Sequence, residues 1–68
     1  MRVTANGEAF ELDEGVTVSA FIRSRGLGPR YVVVELNGEP LERARYDATE
    51  LRDGDRLELV RAVAGGSA

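Results

Sequence analysis

A protein can attack, exchange protons or hold a metal only with side chains suited to the task, and this chain has few of them. Its 68 residues include no His and no Cys, the nine basic residues are all Arg, and 12 are Asp or Glu. That inventory lacks the usual general base, the thiol nucleophile, the Schiff-base amine and the ligands of most transition-metal sites. The carboxylates are scattered and mostly alternate with apolar residues, as on a solvated strand face. Neither self-contained catalysis nor a metal site is expected. The unusual residues lie instead in Ala64-Gly65-Gly66, followed by Ser67-Ala68. A glycine pair adds nothing to a strand, because glycine loses the most backbone entropy on ordering and packs no side chain. The pair therefore reads either as a frayed end or as a thin, bendable tail required by something else.

Whatever positions that tail is small. A chain of about 60 residues buries only about 60% of its unfolded surface, so one core is expected and every apolar position counts. Residues 1–64 read as the folded domain and 65–68 as a flexible tail carrying Gly-Gly. A hydrophobic content of 43%, regularly patterned, argues against disorder despite 31% charged residues. No apolar run approaches the roughly 20 residues of a membrane span, and Met1-Arg2-Val3-Thr4 does not resemble a secretion signal. Without cysteine there are no disulfides, and a cytoplasmic location is the simplest expectation. A net charge of −3 argues against nucleic acid as a partner. Arg23, Arg25 and Arg30 read as a solvated helix end whose cations suit the helix dipole. A protein partner is expected instead.

The elements follow from turn residues and periodicity. Asn6-Gly7 favours a tight type I′ turn, so Arg2–Ala5 and Glu8–Leu12 form a hairpin with Phe10 and Leu12 toward the core. Thr17 caps a helix over Val18–Arg25, in which Val18, Phe21 and Ile22 form the apolar stripe, Ser19, Arg23 and Ser24 take the rest, and Gly26 terminates. Tyr31–Leu36 is the most β-prone run and a central strand. Asn37-Gly38 is a second turn, and Pro40 keeps the next segment off the sheet centre. Leu41–Leu51 is irregular, with a helical turn near Arg43–Tyr46. Leu51-Arg52-Asp53-Gly54-Asp55 turns into a last strand over Arg56–Val63, with Leu57 and Leu59 inward. Hairpin, helix, strand, irregular segment and strand give a two-layer α+β unit with four to five strands and one main helix. The order fits a β-grasp (ubiquitin-like) fold, with the last strand central beside the first.

With these elements in place, the chain from Met1 to Gly66 resembles the ThiS family of thiamin-biosynthesis sulfur carriers. The features that carry the likeness are Asn6-Gly7, Leu36-Asn37-Gly38, the Leu51–Asp55 turn and Val63-Ala64-Gly65-Gly66, in this order and spacing. The small subunit of molybdopterin synthase is a related carrier, usually longer and often with a proline pair where Arg61-Ala62 stands here. The resemblance implies that the Gly66 carboxylate is adenylated with ATP by an E1-like, ThiF-type enzyme. A sulfur from a cysteine desulfurase or rhodanese-like donor then gives a thiocarboxylate, which serves a ThiG-type thiazole synthase. On this view Gly66 is the reacting residue, Gly65 and Ala64 thread the partner's channel, and the chain binds no cofactor of its own.

A docking surface is needed as well. If Val32, Val34 and Leu36 face the helix, then Tyr31, Val33 and Glu35 lie on the open face of the sheet, joined by Val60, with Glu8 or Glu58 nearby. Ser67-Ala68 departs from the family pattern, because the Gly66 carbonyl sits in a peptide bond to Ser67. The two residues read as a precursor tail removed by a trimming protease or as a remnant of expression. Such tails also suit carriers of other pathways, such as cysteine or siderophore assembly. The competing classes are a ubiquitin-like modifier and a non-catalytic interaction module.

Overall fold

Two Asn-Gly dipeptides lay out the sheet. In the computed structural model, which describes residues 1–62, Asn6 and Gly7 have φ of 51° and 83°, and Asn37 and Gly38 have 53° and 84°. These are the left-handed values that a type I′ turn requires and that Asn and Gly tolerate best. The first turn joins β1 (Arg2–Ala5) to β2 (Glu8–Glu11), and the second joins β3 (Val32–Leu36) to β4 (Glu39–Leu41). The last strand, β5 (Arg56–Arg61), lies between the hairpins, giving the order β2-β1-β5-β3-β4. β5 runs parallel to β1 and antiparallel to β3. This is the five-stranded mixed sheet of a β-grasp fold, with Pro40 confined to the edge strand β4 as its missing donor demands.

One helix, α1 (Val18–Ser24), covers one face of the sheet. The Thr17 hydroxyl accepts from the Ala20 backbone N–H at 3.1 Å, the bond expected of its N-cap. Val18, Phe21 and Ile22 are buried against Val3, Ala5, Val32, Val34 and Leu57. Phe10 is half-buried and meets Phe21 edge to face, with centroids 5.3 Å apart.

The structure alters several boundaries and one assignment. β2 ends at Glu11 and α1 at Ser24, one residue earlier than expected in each case. Tyr31 closes a 3₁₀ turn (Pro29–Tyr31) instead of opening β3, and the turn after β4 is 3₁₀ over Arg43–Arg45. β5 ends at Arg61, and Val63 lies outside the described residues. Ser19 is buried, not solvent-facing. Its hydroxyl bonds the Asp47 carboxylate and its N–H donates to the Tyr46 carbonyl, because the irregular segment folds across the start of the helix. That segment also gives Tyr46 and Leu51 to the core.

Candidate functional site

Residues 63–68, and with them Ala64, Gly65, Gly66, Ser67 and Ala68, lie outside the described residues. The structure instead fixes where the chain leaves the sheet. Ala62 N–H donates to the Tyr31 carbonyl at 2.7 Å, which extends the β5–β3 ladder one residue past β5. The chain therefore departs at the start of β3, beside the loop that follows α1.

That corner is built by side chains from several elements. Tyr46, buried at 2% exposure, donates its hydroxyl to the Val32 carbonyl at 2.8 Å and so pins the first residue of β3. The bond matters because an unpaired buried carbonyl or hydroxyl is costly. Gly28 makes room for Tyr31, since a Cβ at residue 28 would come within 3.1 Å of the Tyr31 ring. Tyr31, Val32, Arg61 and Ala62 line a small hollow with Gly26, Leu27 and Gly28. Sequence reasoning missed Tyr46 and Gly28. A single tyrosine inside "RARYD" belongs to no apolar period, and the contact of Gly28 with Tyr31 is visible only once the 3₁₀ turn forms.

Of the three apolar residues expected on the open face of the sheet, the strand register places Val33 and Val60 there. Val33 and Val60 are direct neighbours across β3 and β5. They are 47% and 60% exposed; Tyr31, 53% exposed, stands instead in the 3₁₀ turn with its ring beside Gly28. These three are the large exposed apolar residues among the described residues. Their exposure follows from register: Val32, Val34 and Leu57 fill the helix side, which turns Val33 and Val60 to solvent. Glu35 and Glu58 pair on the same face, one step along. Glu8 is not part of it. With Phe10 and Arg25 it lines a hollow at the helix side of the sheet.

The arginines expected at a solvated helix end have closer contacts than that. The Arg25 guanidinium lies 4.5 Å from the centre of the Phe10 ring, and that of Arg30 lies 5.8 Å from the centre of Tyr31. At the opposite end of the sheet, Arg2 is held in its charged form by a 2.7 Å bond to Glu11, which raises its pKa above the ordinary value. Among the described residues no group of three or more His, Cys, Asp or Glu is arranged to hold a metal. No helix there is long and apolar enough to cross a membrane.

The model of the ThiS family matches residues 2–66. The chain belongs to the ThiS family. A crystal structure of the thiamine biosynthesis protein ThiS from Geobacter metallireducens superposes with a TM-score of 0.79 at 39% identity, covering 97% of this chain and all of that one. A thiazole synthase from Paramagnetospirillum magneticum is 36% identical over 67 residues, 98% of this chain and 21% of that protein. A thiazole synthase from Magnetococcus marinus is 32% identical, over 97% of this chain and 20% of that protein. The chain spans about a fifth of the length of these two relatives. In this ThiS-family chain the β-grasp order, the two Asn-Gly turns and the Leu51–Asp55 turn form one frame, and that frame delivers the C-terminal segment at Ala62.

Proposed function

We propose that this chain is a sulfur carrier of thiamin biosynthesis, a protein cosubstrate and not an enzyme, and that it reacts through the carboxylate of Gly66. One observation carries the reading: the family match runs to residue 66, so its last residue is the second glycine. The two relatives named thiazole synthase contain a counterpart of nearly this whole chain, which supports a ThiG-type synthase as the sulfur acceptor.

The chemistry asks little of the chain itself. A Gly66 carboxylate oxygen attacks the α-phosphorus of ATP on a ThiF-type enzyme, pyrophosphate leaves, and an acyl-adenylate forms. The terminal sulfur of a persulfide, supplied by a cysteine desulfurase or rhodanese-like donor, then displaces AMP at the acyl carbon. A thiol cleaves the resulting S–S bond, becoming a disulfide, and leaves the thiocarboxylate. Reacting atoms must come within about 3–3.5 Å inside a partner's pocket. Four residues beyond Ala62 reach at most about 14 Å, so the partner must seat its surface close against the exit corner. Gly65 has no Cβ to catch on the channel wall, and Tyr31, Val33 and Val60 supply the apolar contact face.

The Gly66–Ser67 peptide bond has to be opened by a trimming protease before the carboxylate exists. The test is intact mass after incubation with a ThiF-type enzyme, ATP and a persulfide donor. A chain cleaved after Gly66 is expected to gain the mass difference of sulfur for oxygen, and the chain retaining Ser67-Ala68 to stay unchanged. Modification of the uncleaved chain would remove Gly66 as the reacting residue.

A further inference from the structure

The exit corner is basic, although the chain as a whole carries a net charge of −3. Three hollows meet there. One shares Leu27 and Arg61 with the hollow at the tail exit, and another shares Gly28 and Tyr31 with it. Together they are lined by Arg23, Arg25, Arg30, Arg43 and Arg61, against only two carboxylates, Glu8 and Asp47. The Asp47 carboxylate already accepts from Ser19. All five arginines are exposed, and none is in an ion pair among the described residues. The ion pairs that do form there, Met1 with Glu14 and Arg2 with Glu11, involve none of the five.

Among the described residues these five guanidinium groups have no carboxylate partner and repel one another, and the contacts of Arg25 with Phe10 and of Arg30 with Tyr31 leave their charge unneutralised. A complementary surface would relieve that repulsion and speed encounter. The short reach of the chain beyond Ala62 decides which surface meets them: a pocket that takes in Gly66 opens within about 14 Å of Ala62, so its rim faces this corner. At full stretch that is nearly twice the roughly 8 Å screening length at physiological salt, so the rim acts on the arginines when the partner seats close against the corner.

We propose that Arg23, Arg25, Arg30, Arg43 and Arg61 form a second docking element that engages a rim of Asp and Glu side chains around the tail entrance of the activating enzyme. The inference rests on the carrier reading given above and adds the charge of the partner's entrance to it. The arginines supply orientation and encounter rate, while the Tyr31, Val33 and Val60 patch supplies the apolar contact.

The experiment is steady-state activation of the chain cleaved after Gly66 by a ThiF-type enzyme with ATP, followed by pyrophosphate release. Arg23→Glu, Arg30→Glu and Arg61→Glu are each expected to raise KM for the carrier about three- to tenfold with kcat unchanged. The corresponding Lys variants are expected to stay near the starting KM. Arg52→Glu changes net charge equally but lies outside the corner, and is expected to leave KM unmoved. Added salt should raise KM for the unaltered chain and do so less for the triple Glu variant. Unchanged thermal unfolding identifies variants that still fold. Normal activation with a KM indifferent to the reversals and to salt would overturn the acidic rim and leave the carrier reading standing. No activation of the chain cleaved after Gly66 and carrying no substitution would overturn the carrier reading, and the rim with it.

Discussion

The end of the sheet that holds Asn37, Asp53 and Asp55 and the end at which the chain passes Ala62 use their polar groups in different ways. At the first, Asp55 accepts from Arg52 N–H at 2.8 Å and from the Asn37 amide at 3.0 Å. The Asn37 amide oxygen accepts from Arg56 N–H at 2.9 Å, and Asp53 accepts from Arg2 N–H at 2.7 Å. Asn37 N–H and Gly54 N–H add 2.7 Å bonds to the Arg56 and Arg2 carbonyls. Three strands and two turns are tied together there by side chains that satisfy one another. At the exit end Arg23, Arg25, Arg30, Arg43 and Arg61 are exposed and have no ion-pair partner among the described residues, and exposed Tyr31, Val33 and Val60 lie at the same end. A domain of this size has little stability to spare. The closed end thus uses its charged and amide side chains to hold the sheet together, while the exit end keeps its arginines and three large apolar side chains exposed, as the docking proposed above requires.

Cutting the closed end is the strongest way to break this division. Asp55→Ala removes the acceptor of two hydrogen bonds and is expected to cost about 1–2.5 kcal/mol in urea-induced unfolding. The trimmed variant, measured where it is still folded, should keep its KM for activation. A smaller loss isolates one member of the network. Asn37→Gly keeps the positive φ of the turn but loses both side-chain bonds, so about 1 kcal/mol is expected in the same measurement. If either variant altered activation as much as stability, the two ends would not be separable.

How much of this could be read from residue order depended on range. Local signals sufficed for the hairpins, since Asn-Gly carries its turn geometry with it, and for α1, whose Thr17 cap and Val18, Phe21, Ile22 stripe need no distant partner. The alternation of β3 and β5 was enough to turn Val33 and Val60 outward. The Asn37–Asp55 bond joins residues 18 apart and the Asn6–Leu59 bonds residues 53 apart, and nothing local marks such pairs. Ser19 was misplaced for the same reason: its helical position faces outward until residues 46–49 lie across it. The arginine corner was legible only as three nearby residues, because Arg43 and Arg61 reach it through the fold. Gly66 is singled out by its motif alone and lies outside the described residues.

The smallest effect on stability is expected where the partner effect should be plain. Val33 and Val60 face each other across β3 and β5 at 47% and 60% exposure, so their outer methyl groups are already in water. Replacing both by Thr keeps the β-branched shape that a strand favours and exchanges one methyl for a hydroxyl at each position. Little apolar burial is lost in the free protein, and the change in unfolding free energy should stay within about 0.5 kcal/mol. In a complex the same two methyl groups would be covered, and each loses about 0.8 kcal/mol of transfer free energy on becoming polar. Together these weaken docking about tenfold. The double variant should therefore raise KM for activation about tenfold at unchanged kcat, in low and high salt alike, whereas the arginine reversals act most strongly at low salt. A matching salt dependence for both sets would mean that the face and the corner are one electrostatic surface. A KM left unmoved by Val33→Thr and Val60→Thr would take the apolar face out of the interface and leave the arginine corner as the contact.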